Sequence, residues 1–207
     1  MKQDERVRRT RGRILDAAVE VLVEHGVAGA TTVAVQERAG VSRGALLHHY
    51  PSRAELLAAV VDHVVGARDE RARPGLDAVT ADDPLERLRR AVHALRDHLL
   101  DGPGFLAELE LWAAARTDPE LRTAVQAVER RRGADLRARV DDLFGPDLVA
   151  RPAFDAVAGL TVELVRGMAL ARLLGRPAER EQALLDAWVT AAAHLLDLAP
   201  PPLAETP

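Results

Sequence analysis

His48, His49 and Tyr50 stand in a row within AGVSRGALLHHYPSRAELL, the stretch from Ala39 to Leu57. Two imidazoles beside a phenol are residue types suited to metal binding or general acid–base work. The spacing argues against both. Neighbouring residues on a helix point about 100° apart, so one ion cannot take both rings. The chain has no cysteine and no His-x-x-x-His pair to complete a ligand set. His93 and His98 are five residues apart and share a helix face poorly. A small all-helical enzyme built on these two and nearby carboxylates is the alternative reading, but no H-E-x-x-H, Walker loop or G-x-G-x-x-G accompanies it. No catalytic residue, metal ligand or cofactor is expected.

The elements that must position this stretch are short helices. From Arg6 to His25 the apolar residues Ile14, Leu15, Ala18, Val21 and Leu22 recur at three- and four-residue steps, the stripe of an amphipathic helix, and Gly26 suits its end. Thr31 and Thr32 can cap a second helix from Val33 to Ala39, which Gly40 breaks. Ser42 can cap a third helix to about His49, with Pro51 as its stop. Ser52 and Glu55 have the spacing of a capping box opening a fourth. Short helix, glycine turn and short capped helix make a helix-turn-helix, with the first helix as the third wall of its core. Leu46 and Tyr50 should face inward, leaving Arg43, Gly44, Leu47 and His48 on other faces. The exposed helix start at Ser42 suits phosphate. Gly44 permits close approach of a backbone or, equally, a packing contact with the first helix.

The run TTVAVQERAGVSRGALLHHYPSRAELL resembles the DNA-binding segment of TetR-family transcriptional regulators. The resemblance covers residues 6 to about 65. It rests on the paired threonines, A-G-V-S-R-G, the L-x-x-H-aromatic end of the third helix, and P-S-R/K-x-x-L-L. The chain departs from the family at Leu47, where tyrosine is usual, and at Gln36, where a small residue is usual. The resemblance implies that the third helix enters the major groove, with Arg43 reading a base, His48 near base edges and His49 on the backbone. Ser42 and Gly44 would lie against the duplex, and Leu47 occupies the usual contact position of the missing tyrosine. Thr32 and Arg53 would grip flanking phosphates. Arg8, Arg9, Arg11 and Arg13 either reach DNA or are simply solvated.

The charge balance is compatible with this reading. Residues 1–53 carry nine Lys/Arg against six Asp/Glu, whereas the chain as a whole has a net charge of −4. Aromatics are only 3% of the residues, so the core must be built from Leu, Val and Ala. The lack of cysteine excludes disulfides, thiolate nucleophiles and thiolate metal sites. No apolar run is long enough to cross a bilayer, and MKQDERVRRTRGR has no apolar signal core, so a cytoplasmic protein without membrane partners is expected.

Beyond residue 53 the pattern stays helical. The fourth helix is expected to reach about Arg71, followed by a linker from Arg73 to Asp83. Asp83-Pro84-Leu85-Glu86 is a strong helix start leading to Leu100. DGPG at 101–104 breaks the chain before helices at Phe105–Thr117 and from Pro119 to about Phe144. GPD at 145–147 precedes two closing helices, Pro152–Leu174 and Glu179–Leu198. These are unusually apolar and form either an internal core or, as the resemblance implies, a homodimer interface of four helices. The expectation is an all-α chain with a helix-turn-helix DNA-binding domain at 1–53, a helical regulatory and dimerisation domain at 54–199, and a disordered tail at 200–207.

The resemblance further implies a repressor released from a palindromic operator by an unidentified small-molecule effector, an effector-independent DNA-binding protein being the alternative. Candidate pocket residues are Phe105, Leu109, Trp112, Leu164 and Met168, with Glu110, Glu163 or Arg166 as polar anchor. Glu163 and Arg166, three apart, can equally pair with each other.

Overall fold

The structure, a computed structural model, describes residues 2–77, 79–100 and 104–198. Among them are ten helices and no strand: α1 Lys2–Gly29, α2 Thr32–Ala39, α3 Arg43–His49, α4 Arg53–Asp77, α5 Pro84–Leu100, α6 Gly104–Ala115, α7 Pro119–Phe144, α8 Pro146–Val149, α9 Phe154–Leu173 and α10 Ala178–Leu195. The all-α class and the helix-turn-helix at the N-terminal end are as expected. The tail at 200–207 lies outside the described residues, as do residues 101–103 of the expected DGPG break.

Several boundaries differ from the sequence reading. α1 begins at Lys2 instead of Arg6, and it resumes for three residues beyond the break at Gly26, where φ is 64° and ψ −178°. α4 continues through Pro74 and Gly75 to Asp77, six residues past its expected end at about Arg71. Both breakers fall in the last turn of this 25-residue helix, where little of the helix depends on them. The expected break at 145–147 becomes the start of the four-residue helix α8, with Pro146 in its first turn.

By packing, the chain divides into two compact units, one of Met1–Arg68 with Gly102–Ala134 and the other of Asp69–Asp101 with Asp135–Pro207. The division expected at 53/54 followed function, and the packing units cut the chain elsewhere. In the first unit, Ile14 and Leu22 of α1, Val35 of α2, Leu46 of α3, Leu56 and Leu57 of α4, Leu111 of α6 and Leu121 of α7 are buried in one apolar cluster. The core of the second unit joins Leu88 and Val92 of α5, Phe144, Leu148, Phe154 and Val165, and Leu185 of α10. Phe144 and Phe154 meet edge to face at 5.5 Å.

Leu46 is fully buried and α3 contributes few other apolar groups to the core. Leu46→Ala should therefore destabilise the first unit by about 2–5 kcal/mol, read as a lowered urea midpoint followed by a signal from this unit.

Candidate nucleic-acid interface

The α2–turn–α3 segment is built by side-chain caps and one left-handed glycine. Thr31 is extended, and its Oγ1 accepts a hydrogen bond from the Ala34 amide at 3.1 Å, so Thr31 caps α2 and Thr32 is its first helical residue. Gly40 has φ 62° and ψ 41°, a conformation that costs any L side chain steric energy, and Val41 N–H closes the turn on the Gln36 carbonyl at 3.1 Å. Ser42 Oγ then accepts from the Ala45 amide at 3.2 Å and starts α3. Ser52 Oγ accepts from the Glu55 amide at 3.1 Å and starts α4.

Arginines fasten this frame from behind. Arg13 Nη2 donates to the carbonyls of Ala39 at 2.6 Å and Gly40 at 3.2 Å, capping the C-terminus of α2. Arg11 Nε donates to the Tyr50 hydroxyl at 3.1 Å. Tyr50 is buried at the end of α3, and that burial pushes its phenol up, so it stays neutral. Arg53 Nε donates to the Ala30 carbonyl at 2.9 Å, and Arg53 Nη2 donates to the Val27 carbonyl. Two donors of the Arg53 guanidinium, the group expected to grip phosphate, thus hold the peptide groups that follow the break in α1. Arg8 and Arg9 are exposed.

With Leu46 and Tyr50 turned inward, α3 shows Arg43, Gly44, Leu47 and His48 to solvent, while Thr32 and His49 are half-buried. A Cβ placed on Gly44 would meet nothing within 4 Å, which removes the packing alternative for this glycine. The rings of His48 and His49 lie 5.5 Å apart at 67°, and among the described residues no group of three or more His, Cys, Asp or Glu could hold a metal. Gly40-Val41-Ser42-Arg43-Gly44 happens to spell G-x-S-x-G, but a nucleophile elbow needs a strand before its serine. Here α2 precedes it and the serine hydroxyl is a helix cap.

The comparisons with known proteins agree with this geometry. The family model for bacterial regulatory proteins of the tetR family matches residues 14–60, which span α2, the turn and α3. The HTH-type transcriptional regulator CymR of Pseudomonas putida is 34% identical over 183 residues, covering 86% of each chain. The chain belongs to the TetR family. It is a DNA-binding transcriptional regulator and not an enzyme. Among solved structures, a transcriptional regulator from Rhodococcus sp. Rha1 is similar with a TM-score of 0.64 at 25% identity, covering 92% of this chain and 99% of that one. The multidrug binding protein EbrR, solved in complex with ethidium, is similar with a TM-score of 0.59 at 26% identity, covering 90% of this chain and 97% of that one.

The residues expected to line an effector pocket of this TetR-family regulator fall in both packing units. In the first, Phe105 is buried and meets Trp112 edge to face at 6.5 Å, Leu109 is half-buried and Glu110 is exposed. Trp112 Nε1 donates to Glu129 at 3.0 Å, a partner that sequence spacing did not suggest. In the second, Met168 is buried, Leu164 half-buried and Glu163 exposed, and Arg166 pairs with Glu163 at 2.9 Å on one helix face. Neither unit by itself assembles all eight. Sequence reasoning also missed a buried cluster in the second unit, where His98 Nε2 lies 3.1 Å from Asp69 and Arg139 lies 2.9 Å from the other oxygen of the same carboxylate.

These placements separate three roles by mutation. Gly44→Ala should leave stability unchanged or raise it by up to about 1 kcal/mol while weakening operator binding in a mobility-shift assay. Arg53→Ala should lower the melting midpoint by the loss of two hydrogen bonds, about 1–3 kcal/mol. Arg43→Ala should leave the midpoint alone and relax base preference at one position.

Proposed function

We propose that the chain is a homodimeric repressor that holds a palindromic operator and is released from it by a small-molecule effector, acting in the cytoplasm where the chromosome lies. The observation that carries the dimer is a set of half-exposed leucines on the closing helices of the second unit, with the Glu163–Arg166 pair among them on α9. On α9, Leu160 and Leu170 are about half exposed at 51% and 50%, and on α10 Leu195 is 49% exposed. Gly159 and Gly167 lie beside them on α9 with open space where a Cβ would stand, room for close approach of another helix. The two helices are held in register from within. Trp188 Nε1 donates to the buried Thr161 hydroxyl at 2.8 Å, and Arg172 forks onto Glu181 at 2.7 and 2.8 Å. A monomer rarely leaves such a face in water. Pairing it with its twin gives an isologous interface and two reading heads for two half-sites.

On the operator, Arg43 donates to a base edge in the major groove, with His48 beside it. Thr32, Ser42 and His49 contact the backbone, and Gly44 lets the duplex come close. Arg53, Arg13 and Arg11 act through the frame they brace. The effector reading is supported by EbrR, a multidrug binding protein of similar fold, and within each unit by apolar side chains on helices, Phe105, Leu109 and Trp112 in the first and Leu164 and Met168 in the second. An effector must raise the melting midpoint by mass action and lower operator affinity at the same concentrations.

Two outcomes test the reading. Leu195→Glu should put a charge into the proposed interface, raise the dimer dissociation constant by about a hundredfold or more, and abolish binding to a palindrome. Light scattering with a mobility shift checks both, and a wild-type chain that is monomeric and indifferent to duplexes overturns the proposal. The second concerns pH. Burial, with the charges of His48 and Arg11 nearby, holds the His49 imidazole below its ordinary value of 6.5. A phosphate beside it favours the charged form, so binding takes up a proton. Operator affinity should rise as the pH falls below that ordinary value, and His49→Gln should lose this component, measured by titration across pH at constant salt.

A further inference from the structure

Gly44 sits inside a seven-residue helix, where glycine is a poor helix former, yet nothing within the chain demands it. A Cβ there would meet no atom within 4 Å, and Gly44 is not among the residues with positive φ. At about 100° per residue, Gly44 lies angularly between Leu47 and His48, one turn before them. The missing Cβ therefore leaves open space on that face, one turn before Leu47. That leucine is 37% exposed, the apolar member of a face otherwise made of Arg43, Gly44 and His48.

We propose that Leu47, with the clearance at Gly44 beside it, packs on the C5-methyl group of a thymine and so specifies a T next to the base read by Arg43. The inference rests on α3 being the helix that enters the major groove. In that groove the thymine methyl is the one apolar group that projects from a base edge; the small C5–H of cytosine apart, the groups beside it are hydrogen-bond donors or acceptors. Leu47 offers neither donor nor acceptor. Set against a base heteroatom or a phosphate, it would strip water and return no hydrogen bond. Against a methyl group it buries apolar surface on both sides. Gly44 supplies the clearance that lets the base edge reach the leucine.

The test uses the full-length protein and the duplex it enriches from a random pool. Each thymine of the enriched half-site is replaced singly by uracil, which removes the methyl group and keeps every hydrogen-bonding atom. We expect one thymine per half-site at which the replacement weakens binding about three- to fivefold, the worth of one buried methyl group. Leu47→Ala should bind the thymine and uracil duplexes equally at that position, with an unchanged melting midpoint, while Arg43→Ala should keep the methyl dependence. If every uracil duplex binds like its parent, or if Leu47→Ala retains the penalty, Leu47 does not read a methyl group, while enrichment of a duplex still upholds sequence-specific DNA binding by the chain. If no sequence is enriched, both fall together.

Discussion

The reading face of this regulator depends on the burial of two side chains. α3 has seven residues, too short to hold together by its own hydrogen bonds in water. It exists because Leu46 and Tyr50 are anchored in the core formed with α1, α2 and α4. Those two anchors also set the rotation of the helix about its axis. Arg43, Gly44, Leu47 and His48 face outward because Leu46 and Tyr50 face inward, and a rotation by one residue would turn Arg43 toward the core. The neutral, buried phenol of Tyr50, held by Arg11, gives the second anchor a fixed direction as well as a fixed depth.

Much of the positive charge near the N-terminal end serves the protein before it serves any phosphate. Helix ends and turns leave carbonyl oxygens without partners. Arg13 answers those of Ala39 and Gly40, and Arg53 those of Val27 and Ala30. A guanidinium suits this work because its donors diverge from one plane and reach two carbonyls at once. Arg38 is similarly spent on Glu20 and Glu24, which hold it firmly protonated and tie α2 to α1. Counting arginines therefore overstates the number available to DNA.

The second unit solves a different problem. Its core is closed by Phe144, Phe154 and Leu185, but α9 and α10 turn leucines and small residues outward as well as inward. The inward set makes the fold of one chain. The outward set is arranged on the same two helices, which the Thr161–Trp188 hydrogen bond and the Arg172–Glu181 pair keep aligned. A surface held that rigidly loses little conformational entropy when covered, which favours association.

Much of this was legible in the chain itself. The stripe from Ile14 to Leu22, the caps at Thr31, Ser42 and Ser52, the turn at Gly40 and the inward pair Leu46 and Tyr50 all follow from periodicity and local chemistry, because caps and turns act within a few residues. The role of Arg53 was not legible, since its carbonyl partners lie 23 and 26 residues away. Nor were the contacts of His98 and Arg139 with Asp69, for the same reason. The continuation of α4 to Asp77 was hidden because Pro74 and Gly75 were weighed without the long helix that precedes them. Gly44 shows the division most plainly. By itself the sequence determined that the helix carries a glycine there. Only the tertiary structure decided that the space beside it is open, because whether a missing side chain makes room for a neighbour or for a ligand depends on where the rest of the chain packs.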